Sequence, residues 1–281
     1  MRAAVRKILP FSSVDGPGNR AAIFLQGCNF DCAYCHNPET IGTCDGCGAC
    51  VASCPAGALS AGRDGTVAWN EARCRDCGAC ERGCPRSASP KTVSMTPGEA
   101  LDRVMRYRAF IRGVTASGGE ASLRADWVEE LFRLAKGYGF DTALDTNGSL
   151  ALETRPGLLE VCDGVLLDVK SADPAEHRRL TGADNAAVLG NLRFLAEAGK
   201  LWEVRTVVVT GMMDAARTVT FVAETLARAE KTPRRPVYRL IRYRPVGVRP
   251  GRVADGEPSD AFMADLARIA RERGVRDVVV T

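Results

Sequence analysis

The stretch Cys28-Asn-Phe-Asp-Cys32-Ala-Tyr-Cys35 spaces three cysteines as C-x3-C-x2-C, directly after the apolar run Arg20-Ala-Ala-Ile-Phe-Leu-Gln26. A short apolar run of this kind is typical of a buried strand, so the three thiols are predicted to lie on the loop that follows it. Three thiolates on a [4Fe–4S] cube leave one of its irons without a protein ligand. Such an open position can bind a further molecule and take part in its chemistry.

Eight further cysteines form two runs with the spacing C-x2-C-x2-C-x3-C-P, and the runs begin thirty residues apart. The runs resemble those of bacterial two-cluster ferredoxins, in which the fourth cysteine of each run ligates the other cube. This resemblance implies one cube on Cys44, Cys47, Cys50 and Cys84, and a second cube on Cys54, Cys74, Cys77 and Cys80. The remaining cysteine, Cys162, is interpreted as a buried, small apolar side chain.

The region that carries both runs is rich in Cys, Gly, Ala and Asp and has few large apolar residues. Because it cannot bury a core of its own, bound clusters are expected to hold it together. We interpret residues 41–90 as a ferredoxin-like insert, with a short strand at Gly65–Trp69 and an exit linker at Ser87–Pro90. Residues 1–40 and 91–281 then form the main domain.

Composition is that of an ordinary globular protein, with 281 residues of which 46% are hydrophobic and 26% charged. No apolar stretch approaches the ~20 residues that span a bilayer, and no signal peptide is recognisable. We therefore expect a cytoplasmic protein that does not contact a membrane. In a reducing cytosol clustered cysteines bind metal more often than they pair, although a disulfide framework is the alternative.

The formal net charge of +4 counts every cysteine as neutral. Two cubes with four thiolates carry about −2 each and a cube with three carries about −1, so the loaded protein has a net charge of roughly −1. The apparent basicity therefore gives no support to a nucleic-acid partner.

Predicted helices and strands alternate along the chain after residue 95. The helices are predicted at 97–111, 125–138, 151–160, 186–198, 214–229 and 259–273, and the strands at 113–117, 140–145, 164–169, 203–209, 237–243 and 278–280. Such alternation implies a parallel sheet with right-handed crossovers. The six principal strands, including the one before Cys28, are too few for a closed barrel. We therefore predict an α/β fold, a partial (β/α)6 barrel, with ligands at the carboxyl ends of its strands.

Three more polar motifs fall at predicted carboxyl ends of strands: Ser117-Gly-Gly-Glu120, Asp145-Thr-Asn-Gly148 and Asp168-Val-Lys170. Each has a simpler explanation on its own, because Gly-Gly and Asn-Gly are common turns and an Asp after a strand often caps a helix. Their occurrence together with the three-cysteine loop at one edge of a sheet instead favours a functional site.

These motifs resemble those of radical S-adenosylmethionine (SAM) enzymes, and in particular of the activating enzymes of glycyl radical enzymes. The resemblance spans nearly the whole chain and is carried by Val14-Asp-Gly-Pro-Gly18, Phe24-Leu-Gln-Gly-Cys28, Tyr34-Cys-His-Asn-Pro38, Ala116-Ser-Gly-Gly-Glu120 and Leu144-Asp-Thr-Asn-Gly148. Together with Lys7-Ile-Leu-Pro-Phe11, the double ferredoxin insert looks most like that of the YjjW-type activating enzymes.

The resemblance implies that the cube on Cys28, Cys32 and Cys35 binds SAM and that SAM is split reductively into methionine and a 5′-deoxyadenosyl radical. This radical takes the α-hydrogen of a glycine in a partner glycyl radical enzyme, and Asp15 is expected to touch that peptide. The expected cofactors are three [4Fe–4S] clusters and SAM. The expected reductant is a flavodoxin or a ferredoxin, and the expected oligomeric state is a monomer.

The resemblance also assigns the cofactor-binding positions, which are Tyr34, Cys35, His36, Gly118, Gly119, Glu120, Asp145, Asp168, Val169, Lys170, Arg205 and Arg244. Residues 34–36 are expected along adenine and ribose, and the two glycines let the main chain approach the methionine amino group. Asp168 and Lys170 are expected at the ribose and carboxylate. Arg205 is a further carboxylate partner, unless it is a surface arginine on a strand edge. In relatives the positions of Asp145, Thr146, Asp168 and the Leu166 carbonyl form a small site for a monovalent cation.

One position departs from the family pattern. Relatives carry a histidine after the sixth strand, whereas Arg244 stands in its place here. An arginine donates hydrogen bonds but cannot accept them, so cofactor contact at this position is open. His177 lies in a polar helix start and is expected to be exposed to solvent.

The two closed cubes are expected to relay electrons; alternatively they only stabilise the insert or dock a partner. An arginine cluster could help to dock the partner or form a solvated strand edge. Its members are Arg234, Arg235, Arg239, Arg242, Arg244 and Arg249. The alternative functions are a radical SAM enzyme acting on a small molecule, an activating enzyme of anaerobic ribonucleotide reductase, and a ferredoxin-type electron carrier.

Overall fold

The structure is a computed structural model that describes residues 1–62, 65–228, 235–254 and 256–281. Its strands are β1 (Ala3–Ser12), β2 (Arg20–Leu25), β3 (Leu59–Ala61), β4 (Val67–Trp69), β5 (Val93–Met95), β6 (Gly113–Gly118), β7 (Asp141–Thr146), β8 (Gly164–Asp168), β9 (Leu201–Val208), β10 (Val237–Arg242) and β11 (Val278–Val280). Nine of them form one sheet in the order β11-β10-β9-β8-β7-β6-β2-β1-β5, and β3 and β4 form a separate antiparallel pair.

The long strands β2, β6, β7, β8, β9 and β10 pair in this order and run parallel. The six predicted parallel strands are therefore confirmed, and their carboxyl ends lie along one edge of the sheet. The short strand β11 adds in parallel beyond β10, and β1 runs antiparallel between β2 and β5. With β5 and β11 at its two ends, the sheet is open.

The helices are α1 (Ala79–Arg82), α2 (Pro97–Met105), α3 (Ala125–Gly137), α4 (Pro156–Val161), α5 (Pro174–Thr181), α6 (Ala186–Glu197), α7 (Ala215–Arg228) and α8 (Asp260–Glu272). Helix α3 shows why they pack on the sheet. Its residues Trp127, Leu131 and Phe132 share one face and are fully buried in the core. The indole of Trp127 also donates a hydrogen bond of 3.0 Å to the carbonyl of Met95, the last residue of β5.

Two predicted helices are shorter than expected. The segment predicted as helix 151–160 contains a 3-10 turn at Leu152–Thr154 and then α4, which begins at Pro156. Proline has no N–H to donate and disfavours a helical conformation in the residue before it, so one continuous helix cannot form. Helix α2 begins as predicted, with a capping box between Thr96 and Glu99, but ends at Met105. Residue 229, the predicted end of the helix over 214–229, lies outside the described residues.

The strand β1 was not predicted from the sequence, and of helix α5 only the polar start around His177 was expected. Along β1 burial alternates only weakly, so the two-residue period that marks a strand is faint. Its conformation is fixed by backbone pairing with β2 on one side and β5 on the other. Distant pairing of this kind is invisible in a local sequence window.

The insert is largely irregular, apart from the hairpin β3–β4 and the short helix α1. Buried residues are few in this region, as its composition predicts; they include Ala58, Leu59 and Cys80. Within the expected exit linker Ser87–Pro90, Ala88 and Ser89 are buried. The insert is therefore packed against the main domain, and the side chain of Arg6 on β1 forms a 2.5 Å ion pair with Glu81 on α1.

No helix in the described part of the chain is long and apolar enough to cross a lipid bilayer.

The packing of β8 against β9 makes a testable prediction. A Cβ at Gly164, the first residue of β8, would lie 2.0 Å from the ring of Trp202. We expect Gly164→Ala to lower the free energy of unfolding by about 1–3 kcal/mol, because the ring must move. Anaerobic urea denaturation followed by circular dichroism measures the change.

Gly137→Ala is the matched control for this prediction. Within the described residues no atom lies within 4 Å of a Cβ built at Gly137, the last residue of α3. Alanine should be neutral there or stabilise by up to about 1 kcal/mol. Equal urea midpoints of unfolding for the two variants would contradict the packing described for Gly164.

Candidate active site

A cavity of about 470 Å³ lies at the carboxyl ends of the parallel strands. Its lining combines side chains from the loops after β2, β6, β7 and β8 with others from β9 and from the loop between β1 and β2. Most of the sequence-predicted site residues meet here, namely Asp15, Cys28, Cys32, Tyr34, Cys35, His36, Gly118, Gly119, Glu120, Asp145, Asp168, Lys170 and Arg205. The register of the sheet explains this convergence, because Leu25 pairs with Gly118 and Asp168 pairs with Arg205.

The three cysteines of the first motif face this cavity from one loop. The backbone N–H of Cys28 donates to the carbonyl of Ile41 at 2.8 Å, and the N–H of Cys35 donates to the carbonyl of Cys32 at 3.2 Å. Burial raises the pKa of Cys28 and of Cys32 to about 11. Thiols in this setting stay protonated unless a strong positive centre binds them, and metal coordination deprotonates a thiol outright. The donor set therefore fits an iron–sulfur cube with three protein ligands.

Asn147 lies beside this cluster site, although sequence reasoning gave it no individual role. Its Nδ2 is 3.7 Å from the sulfur of Cys28 and donates at 3.1 Å to Oδ1 of Asn29. Hydrogen bonds to cluster sulfurs tune reduction potentials. Because Asn-Gly is a common turn sequence, the contact of Asn147 with Cys28 was not predicted.

Gly118 and Gly119 are required by close packing of the protein on itself. Gly118 has a φ of +123°, and a Cβ there would lie 2.3 Å from the backbone nitrogen of Leu25. A Cβ on Gly119 would lie 2.3 Å from the carbonyl oxygen of Gly27. The two glycines therefore let the loop after β6 lie directly against the segment that leads into Cys28.

Glu120 joins two of the loops that line the cavity. Its carboxylate accepts hydrogen bonds from the N–H of Ser122, the hydroxyl of Thr146 and the N–H of Asn147, at 2.9, 2.7 and 2.6 Å. Burial raises the pKa of Glu120, and these hydrogen bonds oppose that shift. With its oxygens engaged in this way, Glu120 holds the loops after β6 and β7 in register.

Buried charges of opposite sign line the cavity wall formed by β7, β8 and β9. The guanidinium of Arg205 contacts Asp145 at 3.2 Å and Glu203 at 2.5 Å, while Nζ of Lys170 lies 2.9 Å from Asp168. Burial raises the pKa of Asp145 to about 6, and Arg205 opposes the shift. Burial disfavours the charge on Arg205, but the two carboxylates outweigh this effect and raise its pKa. Arg205 is thus a buried network residue rather than a surface arginine.

The phenol of Tyr34 offers an unused polar group to this cavity. Its hydroxyl is buried and has no hydrogen-bond partner among the described residues. Nζ of Lys170 lies 5.8 Å from the centre of its ring. A buried hydroxyl without a partner costs free energy, so a bound molecule with a polar group at this position would satisfy it.

Two predicted cofactor contacts do not line the cavity. The side chain of Val169 lies in the hydrophobic core, and its carbonyl accepts a hydrogen bond of 2.9 Å from Thr206. The side chain of Arg244 is exposed, and only its carbonyl approaches the site, 3.1 Å from Nε2 of His36. Strand alternation explains Val169, because Asp168 and Lys170 on either side of it point the other way.

The expectation that His177 is exposed is wrong, because the residue is completely buried. Its Nδ1 lies 2.9 Å from the carbonyl of Ala183, and its ring packs edge-on against Phe30 at 5.3 Å. Helix α5 lies under the three-cysteine loop, where the N–H of Ala33 donates to the carbonyl of Leu180 at 2.8 Å. The polar sequence of α5 conceals this buried face.

Half of the arginine cluster forms ion pairs within the fold. Arg239 pairs with Glu203 at 2.9 Å, and Arg242 pairs with Asp260. Arg249 pairs with Asp31 and donates at 3.0 Å to the carbonyl of Cys32. Arg235 and Arg244 are exposed, and Arg234 lies outside the described residues. Arg249 thus covers the cysteine loop, a role that sequence reasoning missed.

The eight cysteines of the insert surround two further hollows. The first hollow is lined by Cys44, Cys47, Cys50 and Cys84, and the second hollow by Cys54, Cys74, Cys77 and Cys80. All twelve cysteines of the chain are free thiols, and Cys162 is buried away from these groups. In the described residues no three His, Cys, Asp or Glu side chains are placed for a single metal ion. One zinc would hold its sulfurs about 2.3 Å from a single point, whereas a cube binds each thiolate through a different iron.

Comparison with known proteins gives the family. The Radical SAM superfamily matches residues 22–222. The chain is 30% identical to the indoleacetate decarboxylase activating enzyme of Tractidigestivibacter scatoligenes, over 99% of this chain and 98% of that protein. It is 32% identical to the pyruvate formate-lyase-activating enzyme of Streptococcus mutans, over 73% of this chain and 64% of the relative. It is also 34% identical to the choline trimethylamine-lyase activating enzyme of Oleidesulfovibrio alaskensis, over 76% of this chain and 74% of the relative.

Solved structures agree with the fold. A domain of a pyruvate-formate lyase-activating enzyme from Bacteroides vulgatus superposes with a TM-score of 0.50 at 25% identity, covering 60% of this chain and 98% of that one. QueE from Escherichia coli superposes with a TM-score of 0.53 over all of this chain and 94% of its own length, at 15% identity. The chain therefore belongs to the radical SAM superfamily and, within it, to the activating enzymes of glycyl radical enzymes.

Proposed function

We propose that the protein activates a partner glycyl radical enzyme by removing the α-hydrogen from one glycine in a loop of that partner. The observation that carries the proposal is the convergence of Cys28, Cys32 and Cys35 with buried acids and bases around one cavity. When bound there, a [4Fe–4S] cube with one open iron supplies the electron that splits SAM into methionine and the hydrogen-abstracting 5′-deoxyadenosyl radical. The described thiols, glycines and charged side chains fit these two groups.

The charged wall of the cavity is suited to hold the charged methionine end of SAM. Methionine carries an amino group and a carboxylate, and the wall offers Asp145 with Arg205 and Asp168 with Lys170. Because these groups are already fixed by each other, they need little rearrangement when a charged ligand binds. The free hydroxyl of Tyr34 is a further polar contact for the nucleoside. We also propose that a monovalent cation binds between Asp145 and Asp168.

The partner peptide is proposed to enter beside the loop between β1 and β2. Asp15 lines the cavity, and its carboxylate is held by the hydroxyl of Ser12 at 2.5 Å. The carbonyl of Val14 accepts a 2.8 Å hydrogen bond from Arg205, which ties this loop to the SAM-binding wall. Phe11 and Phe110 lie next to this loop and are 48% and 68% exposed. They present an apolar surface to a docking partner.

The insert is proposed to hold two closed [4Fe–4S] cubes, one in each hollow, and to pass electrons to the SAM-binding cube. The grouping of the cysteines supports this, because each hollow combines cysteines of both runs as in two-cluster ferredoxins. A flavodoxin or ferredoxin is the proposed reductant. A monomeric state and a cytoplasmic location complete the proposal, the location on the ground that reduced cysteines persist there.

The decisive experiment uses a candidate glycyl radical enzyme, co-expressed with this chain and purified without oxygen. Incubation with SAM and dithionite should produce a glycyl doublet in the electron paramagnetic resonance spectrum of the partner. It should also release 5′-deoxyadenosine. Release of 5′-deoxyadenosine without any protein-based doublet would instead indicate a small-molecule substrate.

The SAM-binding cube is tested by Cys32→Ala. Loss of one of its three ligands should reduce the iron content from about twelve to about eight per chain and abolish SAM cleavage. Iron analysis and chromatography of 5′-deoxyadenosine provide the measurements. Cys162→Ala is the matched control, because this thiol is buried outside all three cysteine groups, and it should retain the iron and the cleavage. SAM cleavage by the Cys32 variant would refute the assignment.

The relay is tested by Cys77→Ala, which removes one ligand of the second hollow. Turnover driven by reduced flavodoxin should slow by at least about tenfold if electrons pass through the insert, and unchanged rates would reject the relay. Cys32→Ala serves as the zero-activity reference. The rate is measured as 5′-deoxyadenosine formed per minute.

A further inference from the structure

The two hollows of the insert differ in the charged side chains that line them. The second hollow is lined by Lys91, whose side chain is only 2% exposed. Among the described residues, the charged side chains at the first hollow are Asp45 and Arg86, which pair with each other at 2.9 Å and are 40% and 65% exposed. Solvent screens the exposed pair, whereas the buried ammonium of Lys91 acts at a low effective dielectric constant.

Lys91 also belongs to an ionic chain that reaches the main cavity. Its Nζ lies 2.6 Å from Asp76 and 2.9 Å from Glu81. The other carboxylate oxygen of Glu81 accepts hydrogen bonds from Ser89 at 2.6 Å and from Arg6 at 2.5 Å. Arg6 in turn lines the cavity that contains the three-cysteine loop. The second hollow is therefore the one whose charges are connected to the main domain.

We infer that Lys91 is a potential-setting residue, which raises the reduction potential of the cube in the second hollow above that of the cube in the first. This inference rests on the proposed function, because it requires two cubes in the insert. Each cube in turn gains one electron, which the flavodoxin- or ferredoxin-type reductant supplies to the first cube, and passes the same electron onward. The gained electron makes the cube more negative, so a buried cation favours the reduced form, and net charge and solvent exposure are known determinants of cluster potentials.

Exposure by itself favours the opposite order, because burial disfavours the extra negative charge of a reduced cube, so the charge of Lys91 has to outweigh this effect. Two cysteines of the first hollow, Cys44 and Cys47, are exposed, whereas the second hollow has one exposed cysteine, Cys77, and one buried cysteine, Cys80. With Lys91 setting the order, electrons would enter at the more exposed, lower-potential cube and move to the more buried, higher-potential cube beside the main domain. If Lys91 had only a structural role, it would hold the insert against the main domain. It would then not make the reduction potentials of the two insert cubes differ.

Potentiometric titration of the three-cluster protein, followed by electron paramagnetic resonance, tests the inference. The SAM-binding cube is identified by the change of its signal when SAM is added. Lys91→Met should lower the one-electron reduction constant of one auxiliary cube about tenfold, which corresponds to about 59 mV, and leave the other auxiliary cube unchanged. Lys91→Arg keeps the charge and should restore most of the potential.

Arg75→Met is the matched control, because Arg75 lines the same hollow but is exposed to solvent. Its removal should change the reduction constant less than about threefold, since water screens its charge. A shift as large as that of Lys91→Met would show that any nearby cation has the same effect, and it would overturn the special role of Lys91.

Glu81→Gln provides a second variant that does not remove the lysine. It leaves Lys91 with one carboxylate partner fewer, so the potential of the same cube should rise instead of falling. The inference would be overturned if Lys91→Met and Glu81→Gln shift the reduction potential in the same direction. It would also be overturned if neither variant shifts the potential while the iron content stays at about twelve per chain. If Lys91→Met loses iron, Lys91→Gln, which also removes the charge but keeps a polar tip, takes its place in the comparison. Wild-type iron of about four per chain would instead refute the two insert cubes and so the proposed function of the insert.

Discussion

The loop from Cys28 to Cys35 is fixed by hydrogen bonds to three segments that lie far apart in the chain. Cys28 donates to Ile41 at the start of the insert, and Ala33 donates to Leu180 in α5. The guanidinium of Arg249, from the loop after β10, binds the carbonyl of Cys32. A cube that keeps one iron open depends on such anchoring, because its three thiols must hold their geometry without a fourth ligand.

The cavity next to this loop is built from charges that compensate one another before any ligand arrives. Arg205 connects Asp145, Glu203 and the carbonyl of Val14, so it joins the charged wall of the cavity to the loop that carries Asp15. Buried charges are tolerated only when they are paired in this way. The same network therefore stabilises the site and aligns the two regions where SAM and the peptide are proposed to bind.

The insert is attached by ion pairs and by a buried return segment, and not by a free linker. Ser89 and Lys91 are buried, and Glu81 connects both of them with Arg6 on β1. A fixed position suits the proposed electron relay, because it keeps the distance between the proposed clusters constant. It also means that the charges at this junction act on the insert and on the main cavity together.

Sequence alone determined the alternating parallel fold, the three cysteine groups and most of the cavity lining, because spacing and strand-end position are local properties. Tertiary structure decided the rest. The strand β1 depends on pairing with distant strands, and burial of His177 and Ser89 depends on what packs over them. Gly118 and Gly119 face the protein's own backbone, Arg249 binds Cys32, and Arg244 turns outward. Each of these outcomes is a contact between segments far apart in the chain, which no local pattern of residues specifies.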